Sequence, residues 1–208
     1  MSRSPAAHPS SSAARGKPHS VRIIGGEWKR TPLRVLNLDG LRPTPNRVRE
    51  TLFNWLGQDL DGRRCLDLFA GTGALGFEAA SRGAASVVMV EHNACATGEL
   101  RAVREKLSAR NVEVVESEAL RLAAGLAPSS FDVVFLDPPF AETELFARAL
   151  PLAARLAGPG GDLYVESGEP LDPAGHEALA GWVVTREGKT GTVHYHLLKC
   201  ANNGHSKI

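Results

Sequence analysis

The sequence predicts an α/β fold whose parallel sheet is covered by helices on both faces. Three observations predict it. Short apolar runs at 65–69, 87–91, 112–115, 131–136 and 163–165 alternate with longer stretches of helical periodicity. A G-x-G-x-x-G, Gly71–Gly76, stands between the first of those runs and its helix. The chain then changes habit: Trp182–Arg186 and Thr192–Leu198 lie close together around Gly188 and Gly191, a hairpin and not a crossover.

Order is expected from about Val21. Val21–Ile24 and Leu33–Leu36 are apolar stretches around Gly25-Gly26 and a Trp/Lys/Arg cluster, which suits a small β-hairpin. In Leu41-Arg42-Pro43-Thr44-Pro45, Thr44 is placed to cap a helix with Pro45 at its first position, where the missing N–H costs nothing. Val48, Leu52, Trp55 and Leu56 then share one helical face, which makes Trp55 a core residue, and Gly57 can end the helix. Arg47, Arg49 and Glu50 fall off the apolar stripe.

The repeated βα units start near residue 63. Cys65–Phe69 reads as a buried strand, followed by a glycine turn and a helix from Ala74 to Arg82 that Gly83 stops. Val87–Glu91 is the next strand, and Asn93 can cap a helix reaching about Arg110. Val112–Val115 and Phe131–Leu136 are strands, a helix is expected near Thr143–Leu156, and Leu163–Val165 is the fifth strand. Right-handed crossovers bring the loops at the carboxyl ends of the strands to one edge, where a ligand site is expected. The boundaries predicted are a disordered leader over 1–20, an extension over 21–60, the main domain over 61–200 and a flexible tail over 201–208.

Composition narrows the class. Of 208 residues 43% are hydrophobic and 23% charged, which excludes a wholly disordered chain, a collagen-like fibre and a coiled coil. No apolar stretch approaches the roughly 18 residues of a membrane helix. The net charge of +1 is unevenly spread, with ten Lys or Arg against three Asp or Glu in the first 50 residues. A basic quarter on an acidic body suits either a polyanion partner or a solvated tail. Cys65, Cys95 and Cys200 form no CxxC pair, as expected of reduced thiols in the cytoplasm, and residues 1–20 lack the apolar core of a secretory signal.

The glycine loop meets the context test for a nucleotide site, because Glu91 ends the next strand 20 residues after Gly71. Gly71 and Gly73 let the backbone approach a ligand, and the Glu91 carboxylate can accept both ribose hydroxyls. Dinucleotides and S-adenosylmethionine share this layout. Asp67, four residues before Gly71, leans toward the second. A carboxylate there repels a pyrophosphate and suits a cationic amino-acid end.

Asp137-Pro138-Pro139-Phe140 follows the fourth strand and should face the same edge. The exocyclic amine of a nucleobase is a poor nucleophile, its lone pair being delocalised into the ring. The Asp137 carboxylate and the Pro138 carbonyl, set against its two N–H bonds, would aim that lone pair. The prolines stiffen the loop, and Phe140 offers a face on which an extruded base can stack. Asp-Pro-Pro-Phe serves guanine N2 or adenine N6 alike.

Together, Arg22–Gly26, Leu41–Thr44, Arg47–Leu56, Asp67–Gly76 and Asp137–Phe140 resemble the RsmD family of bacterial methyltransferases, in order as well as content, over about Val21–Lys199. Arg47-Val48-Arg49-Glu50-Thr51-Leu52-Phe53-Asn54-Trp55-Leu56 is the most specific stretch. The resemblance implies a Rossmann-like class I S-adenosylmethionine-dependent methyltransferase. Its seven-stranded sheet would be mostly parallel with an antiparallel last strand, and a small N-terminal extension would grip RNA. It implies transfer to guanine N2 in 16S rRNA of an assembling small subunit, by a monomer without a metal, leaving S-adenosylhomocysteine. By similarity Asp67, Phe69, Gly71 and Gly73 line the cofactor site, Glu91 holds the ribose, and Arg42–Thr51 covers the site, with Thr51 against the cofactor. Where the family usually has Asp-Ala-Leu against the adenine amine, this chain has Glu118-Ala119-Leu120, one methylene longer.

Arg22, Lys29, Arg30, Arg34, Arg42 and Arg47 are the candidate phosphate contacts. Trp28 reads as packing that closes the hairpin. His194 and His196 alternate on a strand without a third ligand, so no metal is expected. The rivals left open are an adenine-N6 DNA methyltransferase, a nucleotide-dependent oxidoreductase that would leave Asp137–Phe140 idle, and a catalytically silent RNA-binding assembly factor.

Overall fold

The computed structural model describes residues 20–36, 44–139 and 142–200. The expected leader (Ser20 excepted), the expected tail, Arg42 and Phe140 lie outside the described residues. Among the described residues no helix is long and apolar enough to cross a membrane.

Strands β1 (Ser20–Arg22) and β2 (Pro32–Arg34) form the expected hairpin, antiparallel with Val21 opposite Leu33. Helix α1 (Asn46–Leu56) follows and ends at Gly57, whose φ of 86° suits glycine. Thr44 does not cap it. Pro45 is the N-cap, without a side-chain bond, and the Thr44 hydroxyl donates instead to Asp137 Oδ2 at 2.9 Å. A hydrogen bond to a carboxylate is roughly twice as strong as a neutral one, so the distant partner wins over the local cap. Val48, Leu52 and Leu56 are buried as predicted, while Trp55 is half-buried and stacks on Tyr195 with centroids 5.4 Å apart.

Arg49 departs from its predicted place off the apolar stripe. It is fully buried, and Glu78, equally buried, explains how. Glu78 receives Arg49 Nη1 at 3.4 Å, Arg82 Nε at 2.8 Å and the backbone N–H groups of Ile24 and Gly25 at 2.7 and 2.8 Å. Arg49 also donates to the carbonyls of Arg22 and Thr44 and to Asn46 Oδ1. One acid and two guanidinium groups thereby join the hairpin, α1 and the helix that carries Glu78.

The main sheet holds β3 (Arg64–Asp67), β4 (Ser86–Glu91), β5 (Val112–Glu116), β6 (Val133–Leu136), β7 (Asp162–Ser167), β8 (Trp182–Thr190) and β9 (Val193–Cys200). Their order is β5-β4-β3-β6-β7-β9-β8, and β9 runs antiparallel to both neighbours. The expected seven strands and antiparallel last strand are both present. Strand residues alternate between two cores, as a sheet covered on both faces requires. Val133 and Phe135 join α1, α2 (Ala74–Ser81) and α3 (Ala94–Lys106), while Val134 and Leu136 join α4 (Ala119–Gly125) and α5 (Thr143–Ala157).

Asn93 caps α3 as predicted, its Oδ1 accepting the N–H groups of Cys95 and Ala96. That helix ends at Lys106, short of Arg110, because the chain turns through Ser108 at φ 52°. Helix α4 was not foreseen, since seven residues are too few to display a helical period. The strand order reverses between β3 and β6, where the open sheet leaves a crevice at the strand carboxyl ends.

Candidate active site

The turn between β3 and α2 is built by Gly71 and Gly73, with φ of 52° and 74°. Gly76 is needed for packing: a Cβ there would lie 2.4 Å from the Met89 sulfur. Two acids brace this loop through its backbone. Asp67 Oδ2 accepts the Gly76 N–H at 2.9 Å, and Glu91 Oε2 accepts the Gly71 N–H at 3.0 Å. Glu91 Oε1 also accepts the Asn93 N–H at 2.8 Å, so one side chain ties the loop after β3 to the loop after β4. Asp67 is only 2% exposed. Burial, with the nearby Asp137 and Glu91 carboxylates, pushes its carboxyl up to about 7 despite the opposing Gly76 N–H.

Beside the loop lies a cavity of about 290 Å³. Phe69, Val90, Ala119 and Leu145 give it apolar walls, Glu91, Glu118 and Glu142 its acids, and Pro139 one margin. No Lys or Arg lines it among the described residues. Of the residues the sequence assigned to a cofactor site, Phe69, Glu91 and Glu118 line this cavity. Asp67 lies outside this lining, bonded to the loop backbone. Thr51 also lies outside it: it sits within α1, and its hydroxyl donates to the Arg47 carbonyl one turn back at 2.9 Å.

Asp137 follows β6 across the reversal point. It is half-buried, takes the Thr44 hydroxyl on Oδ2, and is hydrogen-bonded to the carboxyl of Glu166 at the end of β7. Burial pushes Asp137 up to about 6, while the Thr44 and Glu166 hydrogen bonds pull it down. Glu166 is 3% exposed, and Oε1 accepts the Tyr164 hydroxyl at 2.7 Å. Burial, then the charge of Asp137, holds the Glu166 carboxyl well above the ordinary range. Thr44, Tyr164 and Glu166 were not foreseen. The available signal for Glu166 was positional, an acid one residue past the predicted end of the strand beside Asp137.

Arg22, Lys29, Arg30, Arg34 and Arg47 are all exposed, and none forms an ion pair among the described residues. The hairpin that carries four of them is fastened down. Ser81 accepts the Trp28 N–H at 2.9 Å and donates to the Gly25 carbonyl at 2.7 Å, and its own carbonyl accepts the Glu27 N–H. Trp28 packs against the core, as expected. His196 is buried in β9, its Nε2 accepting the Leu171 N–H at 3.2 Å.

The family model described as conserved hypothetical protein 95 matches residues 21–199. Ribosomal RNA small subunit methyltransferase D of Haemophilus influenzae is 40% identical over 182 residues, 85% of this chain and 92% of that protein. The Escherichia coli K12 protein of the same name is 38% identical over 192 residues, 89% and 93% of the two chains. The chain belongs to the RsmD family. The solved structure of yhhF from Escherichia coli, 35% identical, superposes with a TM-score of 0.75 over 88% of this chain and 99% of its own.

The RsmD fold seen here is that of the class I methyltransferases. In this RsmD chain the two acid-bearing loops after β3 and β6 stand side by side, with the cavity reaching from Phe69 and Glu91 on one side to Pro139 on the other. Asp137 has a raised pKa and takes the Thr44 hydroxyl, and it lies two residues before Pro139 of the cavity wall.

Proposed function

We propose that this chain transfers a methyl group from S-adenosylmethionine to the exocyclic N2 of a guanine in small-subunit ribosomal RNA. The observation that carries the proposal is Asp137, hydrogen-bonded and half-buried, two residues before Pro139, which lines a cavity that has three acids and no Lys or Arg among the described residues. That lining fits S-adenosylmethionine better than a dinucleotide. Apolar walls suit the adenine, Glu91 retains lone pairs for the ribose hydroxyls, and a pyrophosphate would meet three acids, with His92 and Ser117 as the polar side chains beside them. The names of the relatives, small-subunit rRNA methyltransferases, support the substrate class.

S-adenosylmethionine supplies a methyl carbon on a positively charged sulfur, which leaves as the neutral thioether of S-adenosylhomocysteine. The protein supplies position and a proton acceptor. Phe69, Gly71, Gly73, Glu91 and Glu118 surround the nucleoside half, and Asp67 provides negative charge beneath the loop. Asp137 and the Pro138 carbonyl accept hydrogen bonds from the amine, and Phe140 stacks on the base. As the nitrogen lone pair forms the N–C bond, the released proton passes to the Asp137 carboxylate. The main acceleration is alignment of nitrogen, carbon and sulfur. Arg22, Lys29, Arg30, Arg34, Arg42 and Arg47 hold the RNA phosphates, with residues 21–60 acting as the RNA grip.

The test uses methyl-labelled S-adenosylmethionine with unmodified small subunits, their naked RNA, and unmethylated DNA as separate substrates. Label in N2-methylguanosine supports the proposal. Label in N6-methyladenine from DNA keeps the chemistry and overturns the substrate, and no label with any substrate overturns both.

A further inference from the structure

Glu166 belongs to no predicted motif, yet it touches the residue on which the chemistry depends. Strands β6 and β7 are parallel, with Leu136 opposite Val165, so Asp137 and Glu166 sit side by side one step further on. Their carboxyls are hydrogen-bonded to each other. A hydrogen bond between two carboxyl groups requires a proton on one of them, since two carboxylates offer acceptors only. The surroundings decide which group holds it. Asp137 is half-buried and receives a hydroxyl from Thr44; Glu166 is enclosed, and its Oε1 is taken up by the Tyr164 hydroxyl. The anion is therefore better accommodated on Asp137.

We propose that Glu166 is a positioning residue whose protonated carboxyl donates to Asp137 and, with the Thr44 hydroxyl, holds the Asp137 carboxylate toward the target amine. The proposal rests on the reading of Asp137 given above. The high pKa of Glu166 agrees with it. The groups that act on the pair are Tyr164 on the same strand, Tyr195 on β9 through Tyr164, Asp67 on β3, and Thr44 before α1. None of these carries positive charge, so nothing in this set favours ionising both acids. On methyl transfer the amine proton goes to Asp137, which leaves two neutral carboxyls until Asp137 returns its proton to water.

The experiment compares Glu166→Gln and Glu166→Ala with the wild type in the labelling assay, alongside cofactor affinity by calorimetry. A glutamine amide donates to Asp137 and accepts from Tyr164 as a protonated glutamate does. Glu166→Gln should keep most of the wild-type kcat. Glu166→Ala should lower kcat by roughly a hundredfold through lost alignment while cofactor Kd holds. Carboxyl carbon-13 NMR of glutamate-labelled protein, assigned from the signal missing in Glu166→Gln, should show a protonated Glu166 through the neutral range. Loss of activity in Glu166→Gln equal to that in Glu166→Ala, full activity in Glu166→Ala, or an ionised signal at neutral pH each overturns the proposal. Label on another base would overturn the guanine reading, yet the variant ratios would still judge Glu166. The NMR measurement needs no substrate at all.

Discussion

Two groups of buried acids in this protein look alike by residue type and differ in every consequence. Glu78 is surrounded by Arg49, Arg82 and two backbone N–H groups, all within 3.4 Å. Among the described residues, Asp137 and Glu166 have only the hydroxyls of Thr44 and Tyr164 and each other, and both are held well above the usual carboxylate range. An acid surrounded by guanidinium groups serves the architecture: it ties three chain segments together. An acid left without a cation keeps a proton within easy reach, which is what a group that must accept one requires.

Asp137→Ala is the sharpest way to break this contrast. Turnover should fall roughly a thousandfold or more, with loss of both the aligned acceptor and the hydrogen bond to the amine. Cofactor affinity should barely change, because the braces of the glycine loop are untouched. Stability should hold as well, since the variant removes a desolvated acid and no ion pair. Single-turnover assays and calorimetry read both quantities, and near-normal turnover would sink the assignment.

The reverse pattern is expected at Glu78. Glu78→Ala strands two buried guanidinium groups and should cost about 3–5 kcal/mol of stability. Urea denaturation measures that loss, and hydrogen exchange at Ile24 and Gly25 should report release of the hairpin. If stability changed by less than about 1 kcal/mol, the network would be no more than a surface-type contact.

What could be read from the sequence follows the same division. The strands, the glycine loop and the Asn93 cap were legible because each is a local pattern of a few residues. Arg49 was not, since its partner lies 29 residues on and its helical position alone says surface. Thr44 and Glu166 escaped for a related reason: their roles exist only once β6, β7 and the segment before α1 meet. Thr44 looked like a helix cap because propensity knows nothing of Asp137. Thr51 was carried over from a family likeness, and what the structure shows of it is a hydroxyl donating to the Arg47 carbonyl one turn back.

Glu91 stands between the two kinds of acid, and substituting it would sharpen the comparison. It braces the loop with two backbone bonds yet also lines the cavity. Glu91→Ala should weaken cofactor binding by about 1.5–3 kcal/mol, the worth of a hydrogen bond to a charged group. An unchanged dissociation constant would mean that the ribose lies elsewhere.

Asp67 gives the smallest expected effect and tests the contrast through pH alone. Its carboxyl lies near 7 in the folded protein against an ordinary 3.8. The folded state therefore binds a proton that the unfolded chain has released, and Asp67's contribution to stability, full below about 4, is lost as pH rises through about 7. Cofactor binding should run the opposite way. A cationic amino-acid end needs Asp67 ionised, so below that pKa each bound cofactor must displace a proton, and Kd should rise by about tenfold per pH unit. Asp67→Asn keeps an acceptor for the Gly76 N–H but cannot titrate. Its cofactor Kd should be flat across that range and its stability curve should lose this part of the slope, while the part due to Asp137 and Glu166 remains. A wild-type Kd that ignored pH would place the cation away from Asp67.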